Sequence, residues 1–121
     1  MNEERIKING IDYVRADTVK QNVPNFCGME YCIVRTYSAG VFAGYIESRN
    51  GKEVVLRQAR RIWYWEGAAS LSQLATDGTS KPEKCKFPCE VDKVILTDVT
   101  EVIPTTEKAR ESIATVKVWK A

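Results

Sequence analysis

Residues 31–57 read YCIVRTYSAGVFAGYIESRNGKEVVLR, and they set the fold. Tyr31 to Tyr37 is rich in β-branched and aromatic residues, which suit a pleated, half-buried strand. Alternation puts Tyr31, Ile33, Arg35 and Tyr37 on one face and Cys32, Val34 and Thr36 on the other. Ser38-Ala39-Gly40 makes a turn, and Val41 to Arg49 forms the next strand. Gly44 within it marks a bulge or a close backbone approach. Asn50-Gly51 signals a second hairpin, because a type I′ turn needs positive φ at both central residues. Lys52 to Arg57 returns as a third strand, with Val54 and Leu56 on one face and Val55 on the other. Strands joined by such short turns make an antiparallel meander.

Downstream, Arg60 to Trp65 reads as a fourth strand, with Arg61, Trp63 and Trp65 opposite Arg60, Ile62 and Tyr64. Ser70-Leu71-Ser72-Gln73 is a capping box, so a two-turn helix is expected over 70–77, ended by Gly78. Residues 78–89 hold two prolines and read as a loop. Val91 to Ile103 is one strand-like run that stops at Pro104. Thr105 or Thr106 caps a last helix over about 106–115, with Ala109 and Ile113 on its apolar stripe. Trp119 calls for burial, in this chain or in a partner. Upstream, Ile6–Ile8 and Ile11–Val14 flank Asn9-Gly10, a hairpin at about 5–15, followed by a connector over 16–28. The expectation is an α+β fold: a strongly bent antiparallel β-sheet with one short helix and a C-terminal helix. Residues 1–28 form a hairpin and connector, and 29–121 an α+β ligand-binding domain.

The chain has 121 residues and a net charge of +2, with 44% hydrophobic and 28% charged residues. That supports one domain with its own core. The charge is too small for a duplex nucleic-acid binder. No apolar stretch approaches the ~20 residues of a membrane span, and MNEERIKING lacks an apolar leader core, so a cytoplasmic protein is expected. There is no histidine, which removes the Ser-His-Asp triad, the Cys-His pair and histidine metal sites. The acids Glu47, Glu53, Glu66, Asp77, Asp92 and Asp98 are scattered and form no catalytic pair or metal cage. Cys27, Cys32, Cys85 and Cys89 could in principle bind zinc, but Cys32 falls in mid-strand and the spacing departs from C-x2-C. Free thiols, no metal and no cofactor are expected.

The chemistry concentrates at Arg57, Arg60 and Arg61 beside Trp63, Tyr64 and Trp65. Guanidiniums pair with phosphate or carboxylate, and flat rings stack on bases. The competing reading is arginine stems covering a sheet face, with aromatics in core or interface. Ser38-Ala39-Gly40 reads better as a hairpin turn than as a phosphate cradle, because a strand and not a helix follows it.

Arg35–Val41 (RTYSAGV), Ala59–Trp65 (ARRIWYW) with Gly67–Ala75, and Val94–Thr97 through Ile103-Pro104 and Trp119 together resemble a phage- and prophage-encoded family of Thoeris anti-defence type. The resemblance covers about residues 31–120. It implies a non-enzymatic protein that binds cyclic ADP-ribose isomers made by TIR enzymes and sequesters them intact in the infected bacterial host. It also implies a homo-oligomer, a dimer or an assembly of dimers, with pockets shared between subunits and a separate site open to cyclic oligonucleotides. Residue chemistry then selects Arg57, Arg60, Arg61, Trp63, Tyr64 and Arg110 as ligand contacts, with Tyr37 and Ser38 nearby. The rivals are an interaction module that inhibits a host enzyme, a nucleotide-degrading enzyme, and a single-strand nucleic-acid binder.

Overall fold

The structure is a computed structural model that describes residues 28–120. The hairpin expected at 5–15 and nearly all of the connector expected at 16–28 lie outside the described residues. The elements in order are β1 (Glu30–Thr36), β2 (Val41–Asn50), β3 (Glu53–Arg61), α1 (Leu71–Asp77), β4 (Glu90–Leu96), β5 (Val99–Pro104) and α2 (Glu107–Thr115). All strand pairs are antiparallel, in the order β4-β3-β2-β1-β5. The architecture is α+β, as the sequence implies. Among the described residues, no helix is long and apolar enough to cross a membrane.

Strand order forces the sheet to bend. β4 and β5 lie at opposite edges, yet only Thr97 and Asp98 join them. Four strand spacings in a flat sheet come to about 19 Å, whereas the link spans at most about 11 Å. The long β2–β3 hairpin therefore curls over until the Val99 amide donates to the Lys52 carbonyl at 3.0 Å. Tyr37 donates its amide to the Asp98 carbonyl at 2.9 Å and ties the link to the β1–β2 turn. Bulges supply the curvature. Pairing slips between Ala43 and Tyr45, where Gln58 is the extra residue on β3 at φ 53°, and again between Ile46 and Ser48. Gly44 serves as both bulge neighbour and close approach: a Cβ there would stand 3.0 Å from the Arg57 carbonyl oxygen.

The curl gives two apolar layers. Cys32, Val34, Phe42, Val54, Leu56 and Leu96 fill the concave face. Tyr31, Ile33, Ala43 and Ile62 on the other face pack against Leu74 and Ala75 of α1, Ile113 of α2, and Phe87.

Two sequence expectations are corrected. The run Val91–Ile103 is two strands, broken by Thr97-Asp98. Asp98 is the turn former, and its strand-like neighbours mask it. Arg60–Trp65 is not a separate strand: β3 continues through the Gln58 bulge to Arg61, and Tyr64 keeps only a single bridge to Lys86. Both helices lie where expected. Ser70 Oγ accepts the Gln73 amide, and the Gln73 side chain accepts from the Ala69 amide, one residue ahead of the usual box partner.

Gly78 ends α1 at φ 76°, and a Cβ there would collide with the Ser112 side chain on α2. Gly78→Ala should cost about 2–4 kcal/mol from left-handed strain plus overpacking. Urea denaturation checks this, and a loss below about 1 kcal/mol would mean that the α1–α2 seam yields there.

Candidate functional site

The bulge at Gln58 decides where the arginines go. Leu56 and Ala59 both belong to the concave layer, so the extra residue puts Arg57 and Arg60 on the helix-bearing face. Arg61 falls on the other side, its guanidinium 4.5 Å from the Phe42 ring centre. The three guanidiniums do not converge on one anion.

Arg57 lies between two carboxylates, Glu47 at 3.1 Å and Asp92 at 3.3 Å, and these hydrogen bonds raise its pKa further. Arg61 donates to the Ala39 carbonyl at 2.9 Å. Arg60 is buried and donates to four carbonyls: Pro88 (3.0 Å), Ile113 (2.8 Å), Phe87 (3.2 Å) and Val116 (2.6 Å). Two of these close the C-terminal end of α2, where a positive charge is favourable. Burial pulls the Arg60 pKa down, opposed by Tyr31 and Glu90. A guanidinium nevertheless keeps its proton in proteins.

Arg60 and Arg110 meet in one cleft of about 430 Å³, whose wall also includes Tyr31, Tyr45, Gln58, Glu90 and the apolar Val116 and Val118. Tyr31 and Tyr45 pair directly across β1 and β2, their rings edge to face at 4.9 Å. Tyr31 is only 5% exposed, and its hydroxyl has no hydrogen-bond partner among the described residues. Burial first, then the nearby Glu90, pushes its pKa up, so it stays a neutral donor. Arg110 is fixed by Glu107, with Nε 3.0 Å from Oε1 and Nη2 2.8 Å from Oε2. That pairing raises the Arg110 pKa and lowers that of Glu107. Two of five guanidinium donors are thus spent, and the others are left for a ligand. At the rim, the Gln58 amide nitrogen, oriented to satisfy both groups, stands 3.2 and 3.3 Å from the Glu90 oxygens. A buried hydroxyl and a partly buried guanidinium, with one rim carboxylate, suit a small oxyanion that carries a polar ring.

The other expected contacts lie elsewhere. Tyr37 and Ser38 occupy the exposed β1–β2 turn with Arg61. Trp63 and Tyr64 flank Lys86, and the Tyr64 hydroxyl donates to Glu66 at 2.6 Å. Sequence reasoning missed Tyr31, Tyr45, Gln58 and Glu90. The tyrosine pair had a signal: a hairpin turned at Ser38–Gly40 already sets Tyr31 opposite Tyr45. Gln58 and Glu90 had none, because a bulge and an edge-strand pairing bring them together.

Cys32, Cys85 and Cys89 are free thiols. Burial, aided by Glu30, pushes the Cys32 thiol up to about 12, which makes it a packing group.

A family model described as a domain of unknown function, DUF6948, matches residues 29–113, the stretch from the start of β1 into α2. No curated protein matches the chain, and neither does any solved structure.

Proposed function

The chain belongs to the DUF6948 family of domains of unknown function, so an activity must be argued from its own residues, and we propose that it binds a small nucleotide-like anion in the Arg60–Arg110 cleft and holds it unchanged. The observation that carries this reading is the buried Tyr31 hydroxyl, without a hydrogen-bond partner among the described residues and lining a cleft with two arginines. A buried hydroxyl left without a hydrogen bond costs about 1–3 kcal/mol, which a bound acceptor removes. At about 430 Å³ the cleft has the volume of a small-molecule site. Arg110 offers charge to a phosphate, the tyrosines offer ring contact, and Glu90 at the rim accepts from a base or ribose. Among the described residues, the lining has no Ser, Thr, Cys, Lys or His to act as a nucleophile, which favours holding over cutting.

The resemblance to Thoeris anti-defence proteins makes cyclic ADP-ribose isomers the first ligands to try, with sequestration of an immune signal as the purpose. Capture at nanomolar levels needs about −12 kcal/mol. A small ligand reaches that by enclosure, so a second copy covering the cleft mouth belongs to the proposal.

Calorimetry with cyclic ADP-ribose isomers, followed by heat denaturation and analysis of the released ligand, is the test. Heat of binding with intact ligand recovered is expected. Cleaved ligand would make the protein an enzyme, and no heat with any cyclic nucleotide would defeat the reading. Tyr31→Phe gives an internal check: affinity falls about tenfold while stability holds or rises by about 1 kcal/mol. A purely structural Tyr31 would lose stability and leave affinity alone.

A further inference from the structure

Away from the cleft, three short segments lie side by side. Lys86 accepts the Trp63 amide at 3.2 Å and the Tyr64 amide at 3.3 Å through one carbonyl, and returns its own amide to Tyr64 O at 2.8 Å. On the far side the Trp119 amide donates to Phe87 O at 3.0 Å, and Val118 pairs in parallel with Phe87. This arrangement fixes three large rings outward: Trp63 is 63% exposed, Tyr64 44% and Trp119 40%. The Lys86 ammonium stands 5.8 Å from the Tyr64 ring centre and 5.6 Å from that of Trp119. An adjoining groove of about 720 Å³ runs past Cys85, Lys117, Trp119 and Lys120.

We propose that this face binds single-stranded nucleic acid, with unstacked bases on Trp63, Tyr64 and Trp119 and the phosphates tracked by lysines. The charge is complementary. Lys86 stands by two of the rings, Lys117 and Lys120 line the groove with Trp119, and none of the three forms an ion pair among the described residues, where the ion-paired cations are all arginines. An aromatic face can stack only bases that have left a duplex, which selects single strands. Acidic peptides share the charge but have no π-face to lay on the rings. Two acids share this face, Glu83 in the groove wall and Glu66 at the Tyr64 hydroxyl, and the lysines outnumber them, so the positive excess is local and modest. The surface meets the anion cleft only at Val118, and the proposal does not depend on the cleft.

The test is fluorescence anisotropy with the full chain and a labelled oligodeoxythymidine of about 4–16 nucleotides, the span that one small domain covers. A duplex of equal length and polyglutamate are run beside it. The single strand should bind at low salt and well above both comparators. Log affinity should fall linearly with log salt, by about 0.7 for each phosphate held. Lys86→Glu should weaken binding at least tenfold, and Lys86→Gln should lower the salt slope by about 0.7. Trp119→Ala should also weaken binding, at an unchanged thermal transition. Because Lys86 is exposed, its variants decide the matter even if the tryptophan variant unfolds. Absence of binding at low salt overturns the proposal. So does equal binding of duplex or polyglutamate, and so do Lys86 variants that bind like the parent.

Discussion

Arg60→Met should lose about 3–5 kcal/mol of folding stability, the largest effect of any exchange considered for this chain. Methionine keeps most of the stem volume, so the loss isolates the guanidinium. That group is the shared donor for carbonyls of Phe87, Pro88, Ile113 and Val116, drawn from a loop and from the end of α2. Removing it orphans buried acceptors, each of which costs about 1–3 kcal/mol when left dry. The costs do not add fully, because the loop relaxes and water enters. Arg60→Lys should recover less than half, since an ammonium cannot fork toward four oxygens. Urea denaturation gives both values. A loss under about 1 kcal/mol for Arg60→Met would mean that solvent already serves those carbonyls.

Arg110→Ala should cost ligand affinity about 30- to 150-fold, or about 2–3 kcal/mol, and leave the fold in place. Arg110 has only partial burial, and its one charged partner among the described residues is Glu107, one turn away. That pair adds little to stability by itself. Its worth lies in aim: two hydrogen bonds to Glu107 fix the plane of the guanidinium at the cleft wall. Glu107→Gln should therefore lower affinity a few-fold by loosening that aim, a smaller loss than that of Arg110→Ala. The pH sign follows from the lowered Glu107 pKa. Its stabilising contribution is present above the unfolded carboxyl value of about 4.3 and fades as pH falls through the lower folded value. Calorimetry at neutral pH reads the affinity, and an Arg110→Ala protein that binds normally would remove the cleft from consideration.

The fold was largely legible because its signals are local. Asn50-Gly51, the alternation of Val54 and Leu56, and the Ser70–Gln73 box each act within a few residues. The site was less so. Arg60 and Arg110 were both chosen as ligand contacts, yet their meeting depends on a bulge and on α2 packing that no spacing records. Arg57 was chosen for its charge, and the carboxylates beside it, Glu47 and Asp92, come from neighbouring strands. Trp63 and Tyr64 were grouped with the arginines because they are adjacent in sequence. The end of β3 at Arg61 separates them. One-dimensional proximity overstates convergence wherever a strand ends.

The two-residue link between sheet edges also has a bearing on biosynthesis. As the chain leaves the ribosome, β1, β2 and β3 can pair as soon as they emerge, but the strand that covers the far side of β1 begins only at Val99, well after β3 has ended at Arg61. Until then Ile33 and Val34 sit on a bare strand edge that any neighbouring nascent chain can join. Slow translation between residues 60 and 100 would lengthen that exposure, so yield of soluble protein should depend on synthesis speed there more than on final stability.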